Sequence, residues 1–345
     1  MQFFVKFNNN INYRNIKFDV LEYSHHRFGG PNSMKMTALA DIRSELDTFY
    51  RMLGMSIELY DFQNILIWEG YIDSLRFPIS NNVSHEIKLD NVANKIAVIY
   101  NQVIPGESGS TKTITSWEED SISQERYGII ERIDSKGNIT SIEAIQYAKN
   151  ILRDNKNPIT KKIFSLSDFA KSYELNIEIN CSGHWKKLSR NYYANADGFS
   201  VDTITQLQTI LLTSSYVSNV RTTIPTSGIE GISDKQSTTT ILHDVEELLS
   251  LDTNVEKQIL LTKFINHDTI LIDYNEISPT TKIQRSDGKI TTFSNALLSD
   301  HFPIIEWLQL KELVGVLDND ETYVFVKECS YNVETQKRTL KLLGD

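Results

Sequence analysis

One stretch limits the choice of fold more than any other. In YELNIEINC, residues 173–181, Leu175, Ile177, Ile179 and Cys181 alternate with Glu174, Asn176, Glu178 and Asn180. Successive side chains of a strand point to opposite faces, so this period of two specifies a strand with one apolar and one wet face. A strand of that kind belongs in an antiparallel sheet that covers a core on one side.

The same signal recurs near both ends of the chain. SIELYDFQNILIWEGYIDSLRFPI holds two apolar runs divided by the turn residues Asp61, Gln63 and Asn64. In HEIKLDNVANKIAVIY, Ile87 and Leu89 alternate with Glu86 and Lys88, and Ile96, Val98 and Tyr100 alternate later. IWEGYIDSLRFPISNNVSHEIKLDNV and VFVKECSYNVETQKRTLKLLGD share a plan: an apolar strand holding an acid, a polar turn, an alternating strand. The shared plan predicts one antiparallel barrel near each end.

Between these regions the period changes to that of helices. A polar linker, IPGESGSTKT, spans residues 104–113. SWEEDSISQERYG then predicts a helix with Ser116 as N-cap, Glu118, Glu119 and Asp120 in its first turn, Arg126 in its last and Gly128 as its stop. A second helix over 141–155 gathers Ile142, Ile145, Ala148, Ile151 and Leu152 into one stripe, ended by Asn157-Pro158. Helices are also expected near 202–213, through Ile204, Leu207 and Leu211, and near 238–251, through Ile241, Leu242, Val245, Leu248 and Leu249. ILLTKFINHDTILIDY reads as a hairpin turning at 266–268, and IQRSDGKITTF as a second one turning at Asp287-Gly288. The expected class is therefore mainly β, of α+β type, with small α/β pieces inserted.

Bulk properties exclude several functions. A net charge of −10 argues against a broad phosphate-binding surface and against specific nucleic-acid binding. Two cysteines, Cys181 and Cys329, cannot make a disulfide framework or a four-cysteine zinc site. The N-terminal apolar run is broken at Lys6 and followed by an asparagine-rich stretch, unlike a signal peptide. No apolar run approaches the ~20 residues of a membrane helix. These features suit a chain made in a reducing cytoplasm and used in a soluble assembly.

The candidate chemistry is sparse. Cys181-x-x-His184 has the spacing of half a metal site, but no second ligand pair accompanies it, and Cys181 continues the apolar face of its strand. The expectation is a strand running into a turn. His25-His26 precedes RFGGP and is expected in an exposed loop. Glu118, Glu119 and Asp120 could be imagined as a carboxylate pair, yet adjacent helix positions point to different faces, and acids in a first turn offset the helix dipole. Trp117, Trp185 and Trp307 are the candidates for an exposed aromatic groove. The nucleotide-binding glycine motifs, G-x-S-x-G and H-E-x-x-H are all absent. No catalytic, cofactor-binding or metal residue is assigned, and the chain is not expected to be an enzyme.

The order of motifs adds a resemblance. IWEGYIDSL, IKLDNVANKIAVIY, TSWEEDSISQERYGIIE, CSGHWKKLSRNYY with its Tyr192-Tyr193 pair, and the closing VFVKECSYNVETQKRTLKLLG follow one another over about residues 55–345. The series resembles the baseplate hub proteins of phage tails and contractile injection systems. That resemblance implies two antiparallel β-barrels of tail-hub type and a homotrimeric ring that adapts a hexameric tail tube to a trimeric tip or spike. It implies a first barrel over 1–100 and a small α/β connecting domain over 101–165. The second barrel would be discontinuous, over 166–200 and 305–345, with 201–304 inserted as an α+β domain. The implied partners are further copies of the chain, tail tube and distal tail proteins, the tip or spike protein and the tape measure protein, all in a virion tail. A distal tail or receptor-binding adaptor is the alternative, and a tail-associated cell-wall hydrolase a more remote one.

Overall fold

The computed structural model describes residues 3–7, 16–26, 28–40, 48–80, 83–103, 109–164, 175–192, 202–222, 239–251, 258–264, 266–276, 281–284, 290–293, 321–324 and 326–342. The N-terminal strands are β1 (Phe4–Phe7), β2 (Lys17–His26), β3 (Phe28–Ala40), β4 (Ser56–Tyr60), β5 (Leu66–Ser80) and β6 (Val83–Lys88). Next come β7 (Lys95–Val103), β8 (Ser110–Ile114), β9 (Glu118–Glu119), helix α1 (Ser121–Tyr127), β10 (Glu131–Ile139), helix α2 (Ser141–Asn155), β11 (Thr160–Phe164) and β12 (Leu175–Gly183). A 3₁₀ helix over His184–Arg190, helix α3 (Thr203–Leu212), β13 (Asn219–Thr222), helix α4 (Ile241–Leu251), β14 (Gln258–Phe264) and β15 (Thr269–Glu276) follow. The last strands are β16 (Thr281–Gln284), β17 (Ile290–Phe293), β18 (Glu321–Val324), β19 (Val326–Asn332) and β20 (Lys337–Leu342).

The fold is mainly β. One sheet runs in the order β1-β4-β5-β12-β3-β2-β19-β20, with every neighbouring pair antiparallel. β6 pairs with the far half of β5 and carries β11 on its other side. The sheet curls into a half-barrel. Phe3, just before β1, lies 6.0 Å from Tyr23 of β2 and 6.4 Å from Tyr331 of β19, and Phe7 lies 4.9 Å from Phe18, so the two ends of the sheet meet across one core. Met34, Met36, Trp68, Ile72, Ile179 and Cys181 fill that core.

The alternation that opened the sequence reading is confirmed: Ile177, Ile179 and Cys181 are buried, and Glu178 is exposed. The position of the strand is a different matter. β12 was expected in a second barrel, but it lies between β3 and β5, with Cys181 opposite Met34 on one side and Ile72 on the other. The C-terminal hairpin β19–β20 joins the same sheet through β2. Hydrogen bonding thus crosses the expected boundary between 1–100 and 166–200. Periodicity sets which face of a strand is buried, whereas the partner is chosen by contacts far away in sequence.

Close approach fixes the β5–β12 register. Gly70 of W-E-G-Y and Gly183 of C-S-G-H are register partners. A Cβ on Gly70 would lie 2.3 Å from the Ser182 carbonyl oxygen, and one on Gly183 would lie 1.7 Å from that of Pro31. Only glycine permits that spacing.

A small sheet places β7 between parallel β10 and antiparallel β8, with β9 beside the start of β7. The expected linker therefore becomes strand from Ser110 onward. The 116–128 helix starts later than expected: Glu118 and Glu119 form β9, and Asp120 is the N-cap, its carboxylate accepting the Ser123 N–H. Ser116 caps nothing because its neighbours pair with β7. Gly128 ends the helix at φ 77°. α2 spans the expected residues and opens with a capping box between Thr140 and Glu143. Its buried face uses Ala144 and Ala148, while Ile142, about 200° from Ala144 around the helix, is exposed on the other face.

In the third region α3 and α4 pack with the β14–β15 hairpin, and β13 lies parallel to β15. Ile204, Leu207, Leu211, Val245, Leu248 and Leu249 are buried there as expected. β14 meets β3 through Thr262 and Lys263. The IQRSDGKITTF hairpin forms as β16–β17, and β18 adds parallel to β17; the Asp287-Gly288 turn lies outside the described residues.

A buried ionic junction as the candidate functional site

The segment 184–192 leaves β12 and touches all three regions. Asp73, in β5, is its anchor. Asp73 Oδ1 accepts from the Arg190 guanidinium at 2.9 Å, and Oδ2 from Lys186 Nζ at 2.6 Å and Ser182 Oγ at 3.1 Å. Arg190 and Asp73 side chains are only 7% and 11% exposed, so this is an interior ion pair. The Arg190 guanidinium also lies 4.6 Å from the Tyr71 ring centroid. Burial opposes the Arg190 charge, but Tyr71, Asp73, Tyr216 and Asp90 together outweigh it, and its pKa rises.

His184 is buried between Tyr71 and Phe264, at ring distances of 6.3 and 5.8 Å. Its Nε2 lies 3.2 Å from Glu69 Oε1, and its Nδ1 has no partner among the described residues. Burial pulls the His184 pKa down, the Glu69 hydrogen bond opposes that, and Lys187 reinforces it. The imidazole is then neutral, with its Nε2–H donating to Glu69. Lys187 faces the Tyr71 and Tyr216 rings at 5.2 and 5.6 Å. Burial, with Arg190 second, pulls its ammonium down to about 8.

Two further links complete the junction. Glu131 of the small sheet accepts from Lys95 Nζ and from the Tyr192 N–H, both at 2.8 Å. Asn191 Oδ1 accepts from Ser214 Oγ and Ser215 Oγ, both at 2.9 Å, and from the Ser215 N–H, while its carbonyl accepts the Ile241 N–H at the start of α4. Tyr216 donates its hydroxyl to the Ile129 carbonyl. Burial pushes the Tyr216 hydroxyl up to about 12.

The small sheet is tied in the same manner. Asn94 Oδ1 accepts the Ile130 N–H at 2.7 Å, and Asn94 Nδ2 donates to the Gly128 carbonyl at 2.8 Å and to Ser123 Oγ at 3.2 Å. Asn94 of L-D-N-V-A-N thereby grips the R-Y-G exit of α1.

The candidates named from the sequence do not converge. The Cys181 thiol lies in the half-barrel core, and burial pushes its pKa far up. The neighbouring His184 begins a 3₁₀ helix rather than a turn. Cys329 is buried in β19. His25 is not in an exposed loop: it is buried in β2, with Nε2 2.8 Å from the Ile67 carbonyl oxygen. Gly29 and Gly30, at φ 85° and 76°, lie at the start of β3, and Gly30 is the register partner of His26, so β2 extends through both histidines. Asp120 is tied to Lys156 at 2.9 Å, and Glu119 accepts from Gln124. Trp185 is buried with Nε1 3.4 Å from Glu246, Trp117 lies under Lys95 at 5.1 Å, and Trp307 is outside the described residues. Among the described residues no three His, Cys, Asp or Glu side chains converge as metal ligands, and no helix is long and apolar enough to cross a membrane.

Of the junction residues, His184 and Tyr192 were singled out from the sequence, but Asp73, Lys186 and Arg190 were not. One signal could have found the ion pair: Asp73 is a carboxylate inside an apolar strand, and such a group needs a buried cation. The cations stand in KKLSR, immediately after β12.

No family model and no curated protein matches the chain. Among solved structures it is similar to a tail protein from Neisseria meningitidis MC58, at 8% identity and a TM-score of 0.41, over 99% of this chain and 96% of that one.

Proposed function

We propose that this chain is a structural subunit of a phage-type tail, and that it forms the hub ring joining the tail tube to the tip or spike. One observation supports the reading above others. The motifs that carry the resemblance are joints of the framework. Gly70 and Gly183 face each other across β5 and β12, and Asn94 binds Gly128 and Ile130. The segment after C-S-G is anchored on one buried aspartate and binds the small sheet through Glu131 and the helical region through Asn191. A catalytic family would place its shared residues around a substrate; here the side chains are engaged with one another. The reading includes no catalysis, and self-association as a homotrimer with tube, distal tail, tip and tape measure proteins as neighbours.

Light scattering coupled to size exclusion tests it. A trimer near three times 39.6 kDa is the expected result. A hexamer would favour the distal tail adaptor instead, and hydrolysis of cell-wall glycan by the purified chain would sink the structural reading.

A further inference from the structure

The 3₁₀ helix over His184–Arg190 turns once every three residues, so side chains three apart stand along one ridge. In HWKKLSR the ridge positions are His184, Lys187 and Arg190. All three face one ring. His184 stacks on Tyr71 at 6.3 Å, and Lys187 Nζ and the Arg190 guanidinium lie 5.2 and 4.6 Å from the Tyr71 centroid.

The ridge is unevenly satisfied. His184 has Glu69, Arg190 has Asp73, and Lys186, beside the ridge, has Asp73 and Asp90. Lys187 has no carboxylate and no hydrogen-bond acceptor in reach among the described residues; its ammonium meets the Tyr71 and Tyr216 rings. The residue is partly exposed, so small molecules in solution still reach it. An amine held beside a guanidinium and largely out of water loses its proton readily, and a neutral lysine amine is a nucleophile.

We propose that Lys187 takes up carbon dioxide as a carbamate. The Nζ lone pair bonds to the carbon, one C–O π pair moves onto its oxygen, and a proton leaves Nζ for water. Nothing is oxidised or reduced, and no group departs. Charge and size select this electrophile. An aldehyde would leave an iminium, again a cation beside Arg190, and an acyl group needs a bulky donor to reach an amine set between two tyrosine rings. A carbamate is small and anionic, so the guanidinium that disfavours the ammonium favours the product. The groups facing Lys187 are His184 and Arg190 on its own helix, Glu69 and Tyr71 from β5, and Tyr216 from the segment before β13. Glu69 works against the product, but it acts on Lys187 more weakly than Arg190 does. Burial and Arg190 bring the amine down to about 8, so at that pH about half of Lys187 is neutral, against about one in 300 for a lysine at 10.5. The modification turns a repulsive Lys187–Arg190 contact into an attractive one, and dissolved carbon dioxide thereby tightens the junction. The inference is independent of the tail reading.

The test equilibrates the full chain with ¹³C-bicarbonate near pH 8 and traps carbamates as ethyl esters with triethyloxonium. Peptide mass spectrometry then locates the ¹³C label. Lys187 is expected to carry at least ~10-fold more label than any other lysine, following its larger neutral fraction. In guanidinium chloride the preference should vanish, since it belongs to the folded ridge. Lys187→Arg should remove the ¹³C carbamate resonance from the native spectrum. No label at Lys187 overturns the inference. So does label spread evenly over the lysines, or a preference that survives unfolding.

Discussion

The half-barrel and the helical region bury their cores by opposite routes. The half-barrel gathers Met34, Trp68, Ile179 and Tyr331 from almost the whole length of the chain. The helical region takes Leu188, Leu207, Val245, Leu248 and Ile272 from one continuous stretch, with Phe28 as its one contribution from the N-terminal strands. Long-range strand pairing bears a larger loop-closure cost than local helix packing. The half-barrel meets that cost with backbone fit and a buried ion pair, whereas amphipathic helices need mainly side-chain volume. Substitutions at backbone-fit positions should therefore weaken the half-barrel first, and volume losses should weaken the helices locally.

The largest effect is expected from Gly183→Ala. The new Cβ would overlap the Pro31 carbonyl, and β12 is paired on both sides and cannot retreat. A loss above ~4 kcal/mol is expected, as for other severe steric conflicts. Both cysteines lie in the half-barrel sheet, so they report on it. Urea unfolding by circular dichroism should show the midpoint collapse, and Cys181 and Cys329 should react with a thiol reagent in buffer alone. A variant with protected thiols and an unchanged midpoint would break the distinction between the two regions.

Asp73→Ala comes next. It leaves Arg190 buried without its carboxylate, at a cost of ~3–5 kcal/mol. Because the junction serves both regions, thiol protection and helical exchange protection should fall together. Replacing Asp73 and Arg190 by leucine together should recover much of the loss in urea titrations, since removing both charges removes the desolvation term.

Leu248→Ala sharpens the contrast from the other side. Leu248 is fully buried in α4, and its truncation is expected to cost ~2–5 kcal/mol. Hydrogen exchange should speed up in α3 and α4, with the thiols still protected. Thiol exposure at the same urea concentration as helix opening would mean that the two cores unfold as one unit.

The same contrast explains what the sequence disclosed. α2 was legible because the apolar spacing and the Asn157-Pro158 stop are local signals, and the Thr140–Glu143 capping box that fixes its start is local as well. The Asp61–Asn64 turn was legible for the same reason. The place of β12 between β3 and β5 was not, because alternation is satisfied equally well by any partner. Nor was the burial of His25, which depends on the Ile67 carbonyl, far away in sequence. Ser116 and Asp120 are both good caps, and pairing of Glu118 and Glu119 with β7 chose between them. At the junction, Asp73 announced a need for a cation, but nothing local showed that Arg190 and Lys186 would answer it.

The smallest expected effect is one of pH, and it belongs to the half-barrel side of the junction. His184 has a pKa below its ordinary 6.5, chiefly through burial. The unfolded chain then binds more protons than the folded one as pH falls through and below 6.5, so stability declines there. Lys187, lowered by burial from 10.5 to about 8, acts with the same sign in a different window. Between about 8 and 10.5 the unfolded chain again holds the extra proton, and stability rises with pH. Urea midpoints measured across both windows should show two positive slopes. His184→Gln keeps a donor for Glu69 and should flatten the acid slope alone. Lys187→Met should flatten the alkaline slope alone and raise stability at neutral pH. Exchange in α3 and α4 should track neither slope beyond the change in global stability. An acid slope that survives His184→Gln would place that titration on another buried side chain and remove His184 from the account of the junction.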